Sequence, residues 1–411
     1  MNAFGAVVAR SLVVVSVVLA AQAAGPMAMA DRGTAPPLPS GTTTCLSPPT
    51  VSEPEVPWGQ RQLAPERVWH LSRGKGVTVA VVDTGVDAGT PQLAGRVLTG
   101  TDVLDPHGKA NTDCFGHGTF VAGIIGAAPD PGTGFAGVAP DVTILPIRAA
   151  TGQNNPAGGL ATGIRTAVDQ HAQIINVSAS TSAPSPELRA AIDYASARGV
   201  LVVASAANGA KDGDPVTYPA AYPSVLAVGA IDSAGARADF SQTGGYLGLV
   251  APGVDVISIG PGGPGQWQSS GTSYSAPFVT GVAALVLAYR PGLTGEQLRH
   301  RLETTADHPP SRLPDAGLGW GTVNPMAAVT TVLPEEEAHG AQGGMVTPPP
   351  VRPPAPPRND DLAIGIVVAG LFVVAGFAFA VRLAWRLVPA GRRRRWRPAR
   401  VAWHGSEGQD G

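Results

Sequence analysis

The chain has 411 residues, 44% of them apolar, with a formal net charge of −2, enough for one large core with segments to spare. The near-zero total conceals an acidic region from Asp31 to Asp361 and a basic end from Arg382 onward. The acidic region lacks the basic footprint of a nucleic-acid-binding surface, so nucleic acid is excluded as a partner.

At the N-terminus Arg10 is the one charged side chain before Asp31, and an apolar run, Leu12 to Ala20, follows it. Small-residue cleavage patterns stand at Ala21-Gln22-Ala23 and Ala28-Met29-Ala30. This is the pattern of a secretory signal over residues 1–30; the run is short for a membrane helix. Residues 31–60 are rich in Pro, Thr and Ser with little periodicity, and are expected to form an extension rather than a domain.

From Val77 the pattern changes. Val77 to Val82, Ile144 to Ile147, Ile174 to Val177, Val200 to Ala204, Val225 to Val228 and Leu247 to Val250 are short apolar runs, as in parallel strands covered on both faces. Helices are expected between and after them over His117–Ala127, Gly158–His171, Pro186–Arg198, Ser273–Tyr289 and Thr294–Thr304. Thr294 and Gln297 have the spacing of a capping box. Strands alternating with helices predict a doubly wound parallel α/β sheet in a domain over 61–333.

Beyond Val332 the periodicity fades into an acidic and Pro-rich linker over 334–361, with Glu335–Glu337 and the proline run Thr347–Pro357. As polyproline II that run would span roughly 34 Å; a disordered spacer is the alternative. Leu362 to Val381 carries no charge, and at about 1.5 Å per residue it spans roughly the 30 Å of a bilayer interior. Arg382, Arg386 and Arg392–Arg395 follow at once. Positive residues stay on the cytoplasmic side, so 382–411 reads as a basic cytoplasmic tail, 362–381 as a single transmembrane helix, and the main domain as extracytoplasmic in the cell membrane.

The chain has two cysteines, Cys45 and Cys114. In an exported protein an even count suggests a disulfide, with two free thiols as the alternative. A bridge across such a loop stabilises by roughly 4 kcal/mol in the chain-entropy model, and would pin the N-terminal segment close to His117.

Three segments carry chemistry. VAVVDTGVD places Asp83 at the end of a buried strand, where open α/β sheets put their sites. DCFGHGTFVAG sets His117 between glycines at a helix start, where an imidazole can act as general base near neutral pH. GTSYSAPFVTG places Ser273 in the field of a helix N-terminus. Singly, each has a plain structural alternative: a turn aspartate, a structural histidine, an N-cap serine. Together, in this order and with these flanks, they resemble the subtilisin family of serine proteases over roughly Gln60 to Val332.

That resemblance implies a subtilisin-like sheet and hydrolysis of peptide bonds, with Ser273 as nucleophile, His117 as general base and Asp83 orienting the imidazole. VVASAANG matches the family's oxyanion segment and implies Asn208 as the side-chain donor. Ala207 stands where the family usually has glycine. Ser178, Ala179 and Ser180 occupy the substrate-binding segment that usually reads Ser-Leu-Gly-Gly, which implies narrow or unusual specificity. Phe240–Gly244 and Leu249–Gly253 fit structural segments of the family. No cofactor or metal site is implied: the sequence has no His-x-x-x-His, no paired-Cys pattern and no convincing acidic calcium loop.

The signal, the Pro-rich spacer with its anchor, DCFGHGTFVAGII and GTSYSAPFVTGVAAL together resemble the mycosins, membrane-anchored subtilases of actinobacterial type VII secretion. A cysteine beside the histidine motif with a partner in the extension fits them as well, although many mycosins have further cysteines. The resemblance also implies that the N-terminal extension stays attached: there is no room between Asp31 and Gln60 for a folding pro-domain, and residues 31–60, tied by a Cys45–Cys114 bridge, are expected to wrap the domain. The partners so implied are exported protein substrates, type VII secretion membrane components and the membrane. A mainly structural role, stabilising the secretion membrane complex, is the alternative to proteolysis; the retained Asp83, His117, Asn208 and Ser273 favour proteolysis.

Overall fold

The computed structural model describes residues 34–39, 44–151, 157–334 and 336, with 379 and 382. The chain divides into two units, 1–341 and 342–411. In the second, only Phe379 and Arg382 are described, both helical. The expected signal over 1–30, most of the linker and the rest of the expected anchor and tail lie outside the described residues.

In chain order the first unit contains α1 (Trp58–Leu63), β1 (Thr78–Asp83), β2 (Thr101–Asp102), α2 (His117–Gly126) and β3 (Thr143–Arg148). Then come α3 (Ala157–Asp169), β4 (Ile174–Val177), α4 (Pro186–Ser196), β5 (Leu201–Ser205), β6 (Val225–Ile231) and β7 (Leu247–Pro252). The last elements are β8 (Val256–Ile259), β9 (Gln266–Ser269), α5 (Thr272–Tyr289), α6 (Gly295–Thr304) and α7 (Pro325–Thr330). Seven strands form one sheet in the order β2-β3-β1-β4-β5-β6-β7, every neighbouring pair parallel. This is the doubly wound α/β architecture read from the sequence.

Alternation along β1 explains its unbroken apolar run. Val79 and Val81 pack into one core with Phe120, Val121 and the buried side of α5; Ala80 and Val82 pack into another with Leu160, Ile164 and Leu188. Both faces are covered, so neither needs polar residues. β1 lies between β3 and β4; the chain leaves β1 for β2 and β3 on one side and crosses from β3 to β4 on the other. Its C-terminal end is therefore a topological switch point, where such sheets open a crevice.

The central helix α5 has a mean hydropathy of 1.3 and 18 residues, enough to cross a membrane by length and composition, but 83% of it is buried in the domain. It is a core helix. α6 begins with the capping box of Thr294 and Gln297, as its spacing predicts. Elements without a sequence signal are also present: the edge strand β2, the antiparallel hairpin β8–β9 and the short helices α1 and α7.

The described part of the extension lies along the hairpin. Leu38 N donates to Gln268 O and Gln268 N to Pro36 O, both at 2.8 Å, and Gln266 N donates to Val51 O at 2.7 Å. A Cβ at Gly265 would stand 2.6 Å from the Pro49 carbonyl carbon, and one at Gly134 2.2 Å from that of Glu55; glycine permits this close approach of two backbones. Cys45 and Cys114 form a disulfide, and Leu46 N donates to Cys114 O at 2.9 Å. α1 runs across the expected boundary between extension and domain. At the other end Glu336, read as linker, pairs with the fully buried Arg301.

Candidate active site

Asp83 is the last residue of β1 and His117 the first of α2. Asp83 Oδ1 lies 2.7 Å from His117 Nδ1 and accepts the Thr84 N–H at 2.7 Å. A carboxylate accepts, so Nδ1 carries the proton and Nε2 is the basic nitrogen. The helix start fits tightly onto the strand end: a Cβ at Gly118 would stand 2.0 Å from the Gly85 carbonyl oxygen. Gly116 turns the chain into the helix at φ 81°, a conformation that favours glycine.

Burial disfavours charge on His117. The adjacent Asp83 carboxylate, by its charge and its hydrogen bond, and Asp113 beyond it outweigh burial and hold the imidazole pKa above its ordinary value. Tyr274 packs against the imidazole with the ring planes tilted by 48°, centroids 5.4 Å apart. Burial pushes the Tyr274 phenol up to about 12, so it stays neutral beside the pair.

Ser273 is the second residue of α5 and is half-buried. Its hydroxyl donates to the Ser178 carbonyl at 3.0 Å, and that is its described partner in place of His117. In return the Ser178 hydroxyl donates to the Ser273 carbonyl at 2.8 Å. The reason lies four residues on: Pro277 is inside the helix and has no N–H for the Ser273 carbonyl. Ser178 supplies the missing donor. Its own oxygen accepts from Asn176 Nδ2 at 2.9 Å, and Thr280 Oγ1 donates to Asn176 Oδ1 at 2.9 Å.

Asn208 follows β5. Its Oδ1 accepts the Thr272 N–H at 2.9 Å and the Thr272 hydroxyl at 3.1 Å, while Thr272 Oγ1 accepts the Ala207 N–H at 3.0 Å. With the oxygen fixed, Nδ2 lies beside Gly271, 3.3 Å from where a Cβ would stand. Ala207 adopts φ 80°, a left-handed conformation that costs a side-chain-bearing residue roughly 1–2 kcal/mol.

The segment Ser178–Ser180 continues from β4, with Ser178 and Ala179 buried and Ser180 half-exposed. Immediately after it Thr181 bridges to Tyr218. The Ser178 hydroxyl faces inward, toward the Ser273 backbone. His117 keeps 27% of its side chain exposed and Asn208 is exposed, so these groups meet solvent with the described extension in place.

Sequence reasoning missed two contributors, Thr84 and Asp113, and one role, that of Ser178 beyond its place in the substrate-binding segment. Ser178 holds the Ser273 backbone, and its signal is Pro277. Thr84 and Asp113 brace the start of α2; a carboxylate just ahead of a helix that opens on glycine is the pattern that could have shown it.

The Subtilase family model matches residues 74–321. The chain is 32% identical to Mycosin-1 of Mycolicibacterium smegmatis over 448 aligned positions, covering 92% of this chain and 99% of that protein. It is 33% identical to Mycosin-1 of Mycobacterium tuberculosis, covering 83% and 88%. Among solved structures it is similar to MycP1 from the ESX-1 type VII secretion system, with a TM-score of 0.63, 32% identity, and 74% and 95% of the two chains covered.

Proposed function

The chain belongs to the subtilase family of serine endopeptidases, and we propose that it is a membrane-anchored mycosin that hydrolyses peptide bonds of exported proteins beside a type VII secretion membrane complex. The observation that carries the chemistry is the Asp83–His117 pair at the end of β1, with Ser273 in the first turn of α5 and the Asn208 amide oxygen held by Thr272 beside it.

In this reading Ser273 Oγ rotates from the Ser178 carbonyl toward His117 Nε2 and attacks the scissile carbonyl carbon, while Nε2 takes the hydroxyl proton. The hydrogen bond given up contributes only about 1 kcal/mol. Asp83 holds the Nδ1–H and stabilises the imidazolium. The oxyanion takes hydrogen bonds from Asn208 Nδ2 and the Ser273 N–H. The tetrahedral intermediate collapses to an acyl-enzyme as the C–N bond breaks, and the leaving amine takes the proton from His117. Water, deprotonated by His117, then attacks the acyl carbon; the Ser273 Oγ–acyl bond breaks, the acid leaves and His117 returns the proton to Ser273 Oγ. Substrate backbone lies along Ser178, Ala179 and Ser180.

The anchor over 362–381, with the basic tail inside the cell, keeps the protease domain outside the membrane where exported proteins emerge. Partnership with secretion components is supported by the likeness to MycP1 and MycP3, which come from the ESX-1 and ESX-3 type VII secretion systems. The test compares the chain termini of exported proteins from cells carrying the wild type or Ser273→Ala. New termini that depend on Ser273 support the reading. Identical termini from both strains, with both proteins present in the membrane, overturn it.

A further inference from the structure

Helix α2 carries His117 but cannot cap itself. Its N-cap is Gly116, which makes no side-chain cap hydrogen bond and is glycine because the chain must turn at φ 81°. The first N–H groups of a helix need acceptors, and here they are supplied from outside the helix. Asp113 Oδ2 accepts the Thr119 N–H at 2.9 Å and the Thr119 hydroxyl at 2.8 Å. Asp113 Oδ1 accepts the Gly116 N–H at 2.9 Å, the Phe115 N–H at 3.1 Å and the Thr84 hydroxyl at 3.0 Å. Thr84 Oγ1 in turn accepts the Gly118 N–H at 3.0 Å. One buried carboxylate thus ties the residue after Asp83 to the residues on both sides of His117.

We propose that Asp113 is a positioning residue for His117, joining the end of β1 to the first turn of α2 so that the imidazole is held on Asp83. This rests on the reading of His117 as the general base. The Asp113 network fits a positioning role because its two anchors, Thr84 and Thr119, sit one residue from Asp83 and two from His117. Thr119 Oγ1 also accepts the Asp87 N–H at 3.0 Å, so the chain four residues beyond the end of β1 is gathered into the same clamp. Cys114 fixes the next residue through its disulfide to Cys45.

The charges around His117 come from several elements. Asp83 from β1 and Asp113 from the preceding loop both raise its proton affinity, and the Tyr274 phenol from α5 stays neutral against its ring. Arg148 from β3 is spent on Asp102, the Thr84 carbonyl and Thr112. Burial, with the nearby Asp83 charge, holds the Asp113 pKa above the ordinary carboxylate value, while the hydrogen bonds from Thr119 and Gly116 favour its ionised form; to the extent that Asp113 is ionised, removing its charge lowers the His117 pKa.

The test uses the full-length protein and Asp113→Asn. Two quantities are read: the imidazole titration of His117 by NMR, which needs no turnover, and the pH profile of fluorophosphonate labelling. The expected result is a lower titration midpoint, a Nδ1–H resonance displaced from its wild-type position, and labelling slowed at least tenfold with the profile moved to lower pH. An unchanged midpoint, resonance and labelling profile in a folded variant overturns the proposal. If Asp113→Asn does not fold, Thr84→Val carries the test. It cuts the tie between Asp113 and Gly118 without a change of charge, and the proposal requires a displaced Nδ1–H resonance and slower labelling. A wild type that is not labelled at all counts against the endopeptidase reading alone, since the NMR titration still decides Asp113.

Discussion

Replacing Ser178 with alanine removes the hydroxyl that donates to the Ser273 carbonyl and accepts from Asn176. Two buried groups lose their partner: the Ser273 carbonyl, which Pro277 leaves without a helical donor, and the Asn176 amide, on a fully buried residue. An unpaired buried polar group costs about 1–3 kcal/mol, so the pair predicts a loss of about 2–4 kcal/mol, the lower part of the doubled range because Ser273 is half-exposed. Pro277→Ala separates the two contributions, because a backbone N–H returns at position 277 to serve the Ser273 carbonyl. In that background Ser178→Ala should cost about 1–2 kcal/mol less, a coupling that a double-mutant cycle isolates. Urea unfolding of the four proteins measures it. Fluorophosphonate labelling should fall in Ser178→Ala and partly recover in the double variant. A Ser178→Ala cost below about 0.5 kcal/mol, the level of an ordinary surface change, or purely additive effects, would refute the account of Pro277 and Ser178.

Three further outcomes are expected. Replacing both Cys45 and Cys114 by serine should lower stability by about 4 kcal/mol in the chain-entropy model; urea unfolding of the wild type with reductant should approach that of the variant. Glu336→Ala strips the fully buried Arg301 of its carboxylate, a loss of about 3–5 kcal/mol for a broken buried pair, and an unfolding midpoint like that of wild type would contradict it. The third concerns pH. His117 has its folded pKa raised, so its protonated form is favoured on folding. That contribution is complete below the unfolded value of about 6.5 and is lost as pH rises through the folded value. Labelling needs the neutral imidazole and should run the opposite way, reaching half its maximum above pH 6.5 or so. Asp83→Asn should move that midpoint down, and a profile that stays in place would count against the pairing.

The sheet was legible because its strands are covered on both faces, which makes them continuous apolar runs bounded by polar turns. β2 has only two residues, and β9 reads Gln266-Trp267-Gln268-Ser269 beside a polar extension, so neither leaves such a trace. α1 and α7 have six residues each, too few for a helical period to stand out. At the site Asp83, His117 and Ser273 were marked by their flanking residues. Ser178 was read for its place beside a substrate; the inward turn of its hydroxyl depends on a proline far along the chain. Asp113 was hidden because it caps a helix across a glycine, outside the usual N-cap position. The docking of the extension rests on glycines at 134 and 265, whose need for close approach appears only once two distant backbones meet.

The most direct test of the central claim is fluorophosphonate labelling of the folded full-length protein, with the modified peptide identified by mass spectrometry and Ser273→Ala as control. The account predicts one adduct, on Ser273 Oγ, absent from the control. A folded wild type that stays unlabelled, or an adduct on another residue that persists in Ser273→Ala, would contradict it.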